Sequence, residues 1–293
     1  MKLKMLTVAL LTAGSIATAT PLLANQSTPS ASYAARVNAP DPAQQIHTWA
    51  RLFRAGNVPA LARAVVPESR WEQLQAAYEL QKLHPIKDHD RQEYAEKIAR
   101  ITAPDAVETL MAEIEPKLDE VRPQVPGALM MGIGALQMAA SSPESDLTAD
   151  QRAALQSAIP GIQDWASRTD FLDTHTMRQA LGLISTAARQ ARLDNLDEIR
   201  GLTLEGALDR ASTLLAAGKQ AVRLYGLDLD QIADSLQVDV LEISGETCRV
   251  RTTVTVFDAP ISIEHDLELV EGRWYGKHAA AQMRQVSNYR LEG

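Results

Sequence analysis

From about residue 236 onward the apolar residues of this chain recur at every second position, whereas before it they recur every third or fourth. Side chains alternate across a strand but return to one face of a helix only every 3.6 residues, so this break allows one order: helices first, then a sheet. Within "DSLQVDVLEISGETCRVRTTVTVFDAPISIEHDLELVEGRWYGKH", turn signals stand at Ser244-Gly245, Asp258-Ala259-Pro260 and Glu271-Gly272. They cut the run into four strands at roughly 236–243, 247–257, 261–270 and 273–277, joined as an antiparallel meander. In the third strand Ile261, Ile263, His265, Leu267 and Leu269 share one face, and Ser262, Glu264, Asp266 and Glu268 share the other. The sheet therefore has a dry face and a wet one, and His265 is placed on the dry one.

Upstream, "DPAQQIHTWARLFRAG" carries Ile46, Trp49, Leu52 and Phe53 at helical spacing, with Asp41-Pro42 as cap and first turn and Gly56 as stop. Further helices follow, among them one from a Thr148 or Asp150 cap in which Pro160 is predicted to kink or divide the helix. The last runs from Thr203 to a stop at Gly226. Together they give about eight helices in an irregular bundle without a fixed-period repeat. The expected fold is α+β, a helical bundle followed by a C-terminal four-stranded antiparallel meander packed on a long helix. The expected division is a helical domain at 41–200 and a helix-plus-sheet domain at 201–293.

The first residues, "MKLKMLTVALLTAGSIATATPLLANQ", have the basic start, apolar run and small-residue cleavage site of a secretory signal peptide over 1–24. Cleavage after Ala19 and after Ala24 both remain open. A lipobox cysteine and a twin-arginine pair are missing from this stretch, so the expected destination is the periplasm, as a protein without a lipid anchor. Residues 25–40, rich in Ser, Pro, Ala and Asn, read as a flexible tether. Cys248 is the single cysteine, which rules out an intramolecular disulfide and reads as a small buried hydrophobe.

Removing Lys2 and Lys4 takes the formal charge from −8 to −10. With basic residues dispersed among acidic ones, nucleic acid is not an expected partner. At 4% aromatic residues, a carbohydrate-stacking groove is hard to build. Residues 123–143, "PQVPGALMMGIGALQMAASSP", carry no charge but are too broken by Pro126, Gly127, Gly132, Gly134 and Gln137 for a membrane span. They read as a central buried helix whose Met130, Met131 and Met138 fill irregular space, or alternatively line an apolar pocket. "GIGALQ" lacks the third glycine and the preceding strand of a dinucleotide fingerprint, and no cofactor is called for.

Two constellations are candidates for chemistry. "LHPIKDHDRQEY" concentrates His84, Asp88, His89 and Asp90, the weak metal candidates being His84 and His89. Pro85 keeps the two histidines off one continuous helix face, which favours a loop with Asp88 or Asp90 as a helix cap. The second is His265 as acid or base, with Asp230 as its acid partner and Asp228 and Asp234 nearby. The chain contains no G-x-S-x-G, S-x-x-K, H-E-x-x-H or C-x-x-C.

The stretch "RLYGLDLDQIADSLQVDVLEISGETCRVRTTVTVFDAPISIEHDLELVEGRWY", with the early "RLFRAGNVPALARAVVPESRWEQLQAAYE", resembles uncharacterised exported proteins of Gram-negative bacteria. That resemblance lends no catalytic residue. The C-terminal quarter also resembles nuclear-transport-factor-2-like and cystatin-like domains, which implies a helix at 203–225 lying over the dry face and a cone-shaped pocket beneath it. Two functions follow as expectations. The first is a non-enzymatic periplasmic binding or assembly factor, meeting an envelope protein or a small apolar ligand. The second is an enzyme or ligand-binding protein with a pocket between helix 203–225 and the sheet around His265.

Overall fold

The computed structural model describes residues 40–281 apart from Asp146. The expected signal peptide and nearly all of the tether lie outside the described residues. The elements run α1 (Pro42–Arg54), α2 (Val58–Val65), α3 (Glu68–Lys82), α4 (Asp88–Thr102) and α5 (Ala106–Val121), then a 3-10 turn (Arg122–Gln124). Next come α6 (Val125–Ser141), α7 (Ala149–Arg168), α8 (Thr174–Gln190), α9 (Leu196–Gly201), α10 (Leu204–Arg223) and α11 (Leu229–Asp234). Then follow β1 (Gln237–Ser244), β2 (Thr247–Val256), β3 (Ala259–Val270) and β4 (Arg273–Gly276), with helical residues 277–281 after them. The α+β class and the C-terminal meander are as read from the sequence.

The helix starts follow from local chemistry. Asp41 accepts from the Ala43 amide ahead of Pro42, Thr203 accepts from the Gly206 amide, and Thr148 forms a reciprocal capping box with Gln151. Each satisfies amides that the first turn leaves unpaired. Gly56 and Gly226 follow helix ends at φ 67° and 84°, a left-handed conformation suited to glycine. Asp88 and Asp90 sit in the first turn of α4 without capping it, favoured there by the helix dipole, so the expected cap fails. Of the two expectations for Pro160, division is not met: it lies inside a continuous α7, against which α6 and β3 both pack.

The sheet is ordered β1-β2-β3-β4, all antiparallel. Cys248 lies opposite Leu267, Val250 opposite His265 and Thr252 opposite Ile263, so these residues share the dry face. On the wet face Arg249 lies opposite Asp266 and Arg251 opposite Glu264, paired at 3.3 and 2.7 Å. The β2–β3 turn falls on Phe257 and Asp258, at φ 49° and 63°. Ala259 and Pro260 therefore open β3, where the sequence signal had placed them in the turn.

Cys248, Val250, Leu267 and Trp274 form the buried centre of the dry face, with Ile46 of α1 packed against them. Cys248 is thus a core residue, as its sequence setting suggested. The Gln45 side chain fastens α1 to the sheet: its amide donates to the Trp274 carbonyl at 2.6 Å, and its oxygen accepts from the Trp274 amide at 3.0 Å. It mimics one rung of a strand ladder on β4.

The long helix against the sheet is α7, not the 203–225 segment. Ala154, Ser157, Ala158, Gly161 and Trp165 fall on one face of α7 at helical spacing, and the small ones allow close approach to β3. Ser157 donates to the Pro260 carbonyl at 2.9 Å, and Trp165 stacks on Phe257 with centroids 4.7 Å apart. α10 instead packs on α8 and α2. The pocket expected between helix 203–225 and the sheet has no such wall. The contacts of α1 and α7 with the sheet, and of α10 with α8, cross the expected boundary at residue 200.

Candidate functional site

β3 presents His265 on the dry face, but beyond the covered centre, so the ring reaches solvent. Its Nε2 shares a 2.9 Å hydrogen bond with Thr252 Oγ1 on the neighbouring strand. Protein packed around the rest of the ring disfavours the imidazolium and holds its pKa below the ordinary histidine value. The side expected of it is correct, but it is not a buried core residue, because α1 covers the sheet around Trp274 and Val238 instead.

Asp230 is committed elsewhere. It pairs with Lys219 of α10, whose ammonium also donates to the Arg54 carbonyl at 2.7 Å and the Phe53 carbonyl at 3.3 Å. Lys219 is only 7% exposed, and it closes the C-terminus of α1 with a cation where the helix dipole favours one. Asp228 caps α11 through the Asp230 and Gln231 amides, and Asp234 pairs with Arg54. The three aspartates hold α1, α10 and α11 together, and Asp230 shares no hydrogen bond with His265.

His84 and His89 do not converge. His84 Nδ1 lies 3.2 Å from the Leu80 carbonyl, while His89 Nε2 is 4.0 Å from Glu93 in the next turn of its own helix. Among the described residues no group of three or more His, Cys, Asp or Glu is arranged to hold a metal ion. One open depression of about 200 Å³ is lined by Glu242, Arg249, Asp266 and Lys277 among others, and another of about 290 Å³ by His47, Arg51 and Asp234. Neither includes His265, and each is walled by groups from one neighbourhood of the surface.

The feature that departs most from an ordinary surface is α6. Among the described residues its one extended helix or strand neighbour is α7. Leu129, Ile133, Leu136 and Ala140 are its less exposed side, and the Gln156 amide of α7 donates to the Ala140 carbonyl at 3.0 Å. The opposite side is open: Met130, Met131 and Met138 are 76%, 74% and 70% exposed. The expected central buried helix is thus a surface helix. α7 has taken the place against the sheet, leaving α6 stacked outside it with one face that no described helix or strand covers. The lack of charge over residues 123–143 was the sequence signal for this surface, and hydrophobicity alone pointed it inward. Among the described residues no helix is long and apolar enough to cross a membrane.

No family model, no curated protein and no solved structure matches this chain.

Proposed function

We propose that this chain is a periplasmic, non-enzymatic binding or assembly factor of the cell envelope, and that the outward face of α6 is its contact surface. The observation that carries the reading is the exposure of three methionines on one uncharged helix. Contiguous apolar surface of this kind marks contact sites in water-soluble chains, and methionine adapts to an irregular partner surface. The leader supports the periplasmic address. The commitment of Asp230 to Lys219 takes away the acid partner that the sequence suggested for an imidazole base at His265.

The test is site-specific photo-cross-linking in cells, with the photoreactive residue placed at Met131 and, as control, at exposed Glu96 on α4. Defined protein adducts from position 131 and none from position 96 are expected. Failure to obtain any adduct from position 131 would remove the reading.

A further inference from the structure

We infer that the partner of the α6 face is a second copy of this chain, docked antiparallel, an inference that rests on α6 being a contact surface. The outward seam of the helix is Ala128, Met131, Ala135 and Met138, spaced alternately three and four residues apart. That is the seam of a two-helix packing, in which each first position of the heptad is small (Ala128, Ala135) and each fourth is large (Met131, Met138).

Self-association demands that one surface complement itself about a two-fold axis. In a parallel pair, methionine would meet methionine in one layer and alanine would meet alanine in the next, alternating crowding with voids. In an antiparallel pair centred beside Ile133, Met131 lies opposite Ala135 of the other copy and Met138 opposite Ala128. Each of these layers then pairs one large side chain with one small, as close packing requires.

The residues flanking the seam are Gly127, Gly132, Gly134 and Ala139. A Cβ at any of the three glycines would meet nothing within 4 Å, so the chain's own packing does not require them. Each glycine inside a helix costs about 0.5–1 kcal/mol relative to alanine. A second backbone approaching along the seam gives them a role.

Charge favours this face, and area sets the strength of the contact. Two copies of an acidic chain repel, and α6 lies within the 21 uncharged residues 123–143, where they can meet without apposing like charges. A 17-residue helix is roughly 25 Å long, and its face can cover roughly 400–600 Å² per copy. That is below the approximately 800 Å² per partner of a standard stable interface, which points to a reversible dimer strengthened by added salt.

The experiment is sedimentation velocity of the exported chain from about 5 to 500 μM, a range suited to a weak interface of this size, on wild type, Ala135→Glu and Leu80→Glu. A concentration-dependent dimer is expected for wild type, abolished by Ala135→Glu with the far-ultraviolet spectrum unchanged, and retained by Leu80→Glu, an exposed apolar position on α3 away from α6. Orientation is read by oxidation: the double variant Ala128→Cys/Met138→Cys should cross-link into dimers, and each single variant should not. Cross-linking by the single variants alone would mean parallel packing and overturn the proposal, as would a dimer indifferent to Ala135→Glu. A wild type that stays monomeric while position 131 cross-links to another envelope protein refutes the second copy and leaves the contact surface standing. Monomers that float with neutral phosphatidylcholine vesicles refute both in favour of a lipid surface, and monomers that do neither refute both outright.

Discussion

Replacing Lys219 by methionine keeps an unbranched apolar side chain at this buried position and removes the ammonium, which lies over the Phe53 ring 5.4 Å from its centroid. That group closes the C-terminal carbonyls of Phe53 and Arg54 and pairs with Asp230. Breaking a fully buried ion pair from one side costs about 3–5 kcal/mol. Here the Asp230 side chain is 39% exposed and rehydrates, and water can reach part of the helix end, which lowers the expected loss to about 2–3 kcal/mol. At about 2–4 °C per kcal/mol for a chain of this size, the melting temperature should fall by about 4–12 °C. Asp230→Asn leaves the ammonium on two carbonyls and should cost about 1 kcal/mol. Urea denaturation followed by circular dichroism measures both. A Lys219→Met variant within about 0.5 kcal/mol of wild type, the range of ordinary surface substitutions, would refute the assignment of Lys219 as the closure of α1. A larger loss from Asp230→Asn than from Lys219→Met would show that the carboxylate has demands of its own.

Gly161→Ala places a Cβ 2.7 Å from the Phe257 carbonyl oxygen; moving α7 off the β2–β3 turn should cost about 1–3 kcal/mol, read as a lowered urea midpoint. Burial, aided by the charge of Asp41, pushes the Cys248 thiol above its ordinary pKa. Native protein should therefore react with a thiol reagent far more slowly than unfolded protein, and equal rates would place Cys248 outside the core. For His265 the folded pKa is lowered by burial, so the unfolded chain binds its proton first as pH falls below about 6.5. Stability contributed by the neutral ring is lost through that window, and His265→Leu should gain on wild type between pH 7.5 and pH 5. A pH-independent difference would contradict the lowered pKa.

The sequence by itself determined what neighbouring residues decide. Asp41, Thr148 and Thr203 cap their helices because side chain and amide lie within three residues of each other. The period-two run became four strands with His265, Leu267 and Val250 on one face because alternation is built into the extended backbone. Distant choices came from the tertiary structure. The long helices α7 and α10 are both candidates to cover the sheet, and it is α7 that packs on β3, with Ser157 on the Pro260 carbonyl and Gly161 and Trp165 against the Phe257 turn. Asp230 near His265 in the linear reading found Lys219 instead, since α10 brings that ammonium to the end of α1. The uncharged run became an exposed helix because composition states that apolar surface gains from burial, while the geometry of the remaining chain decides whether anything is left to bury it.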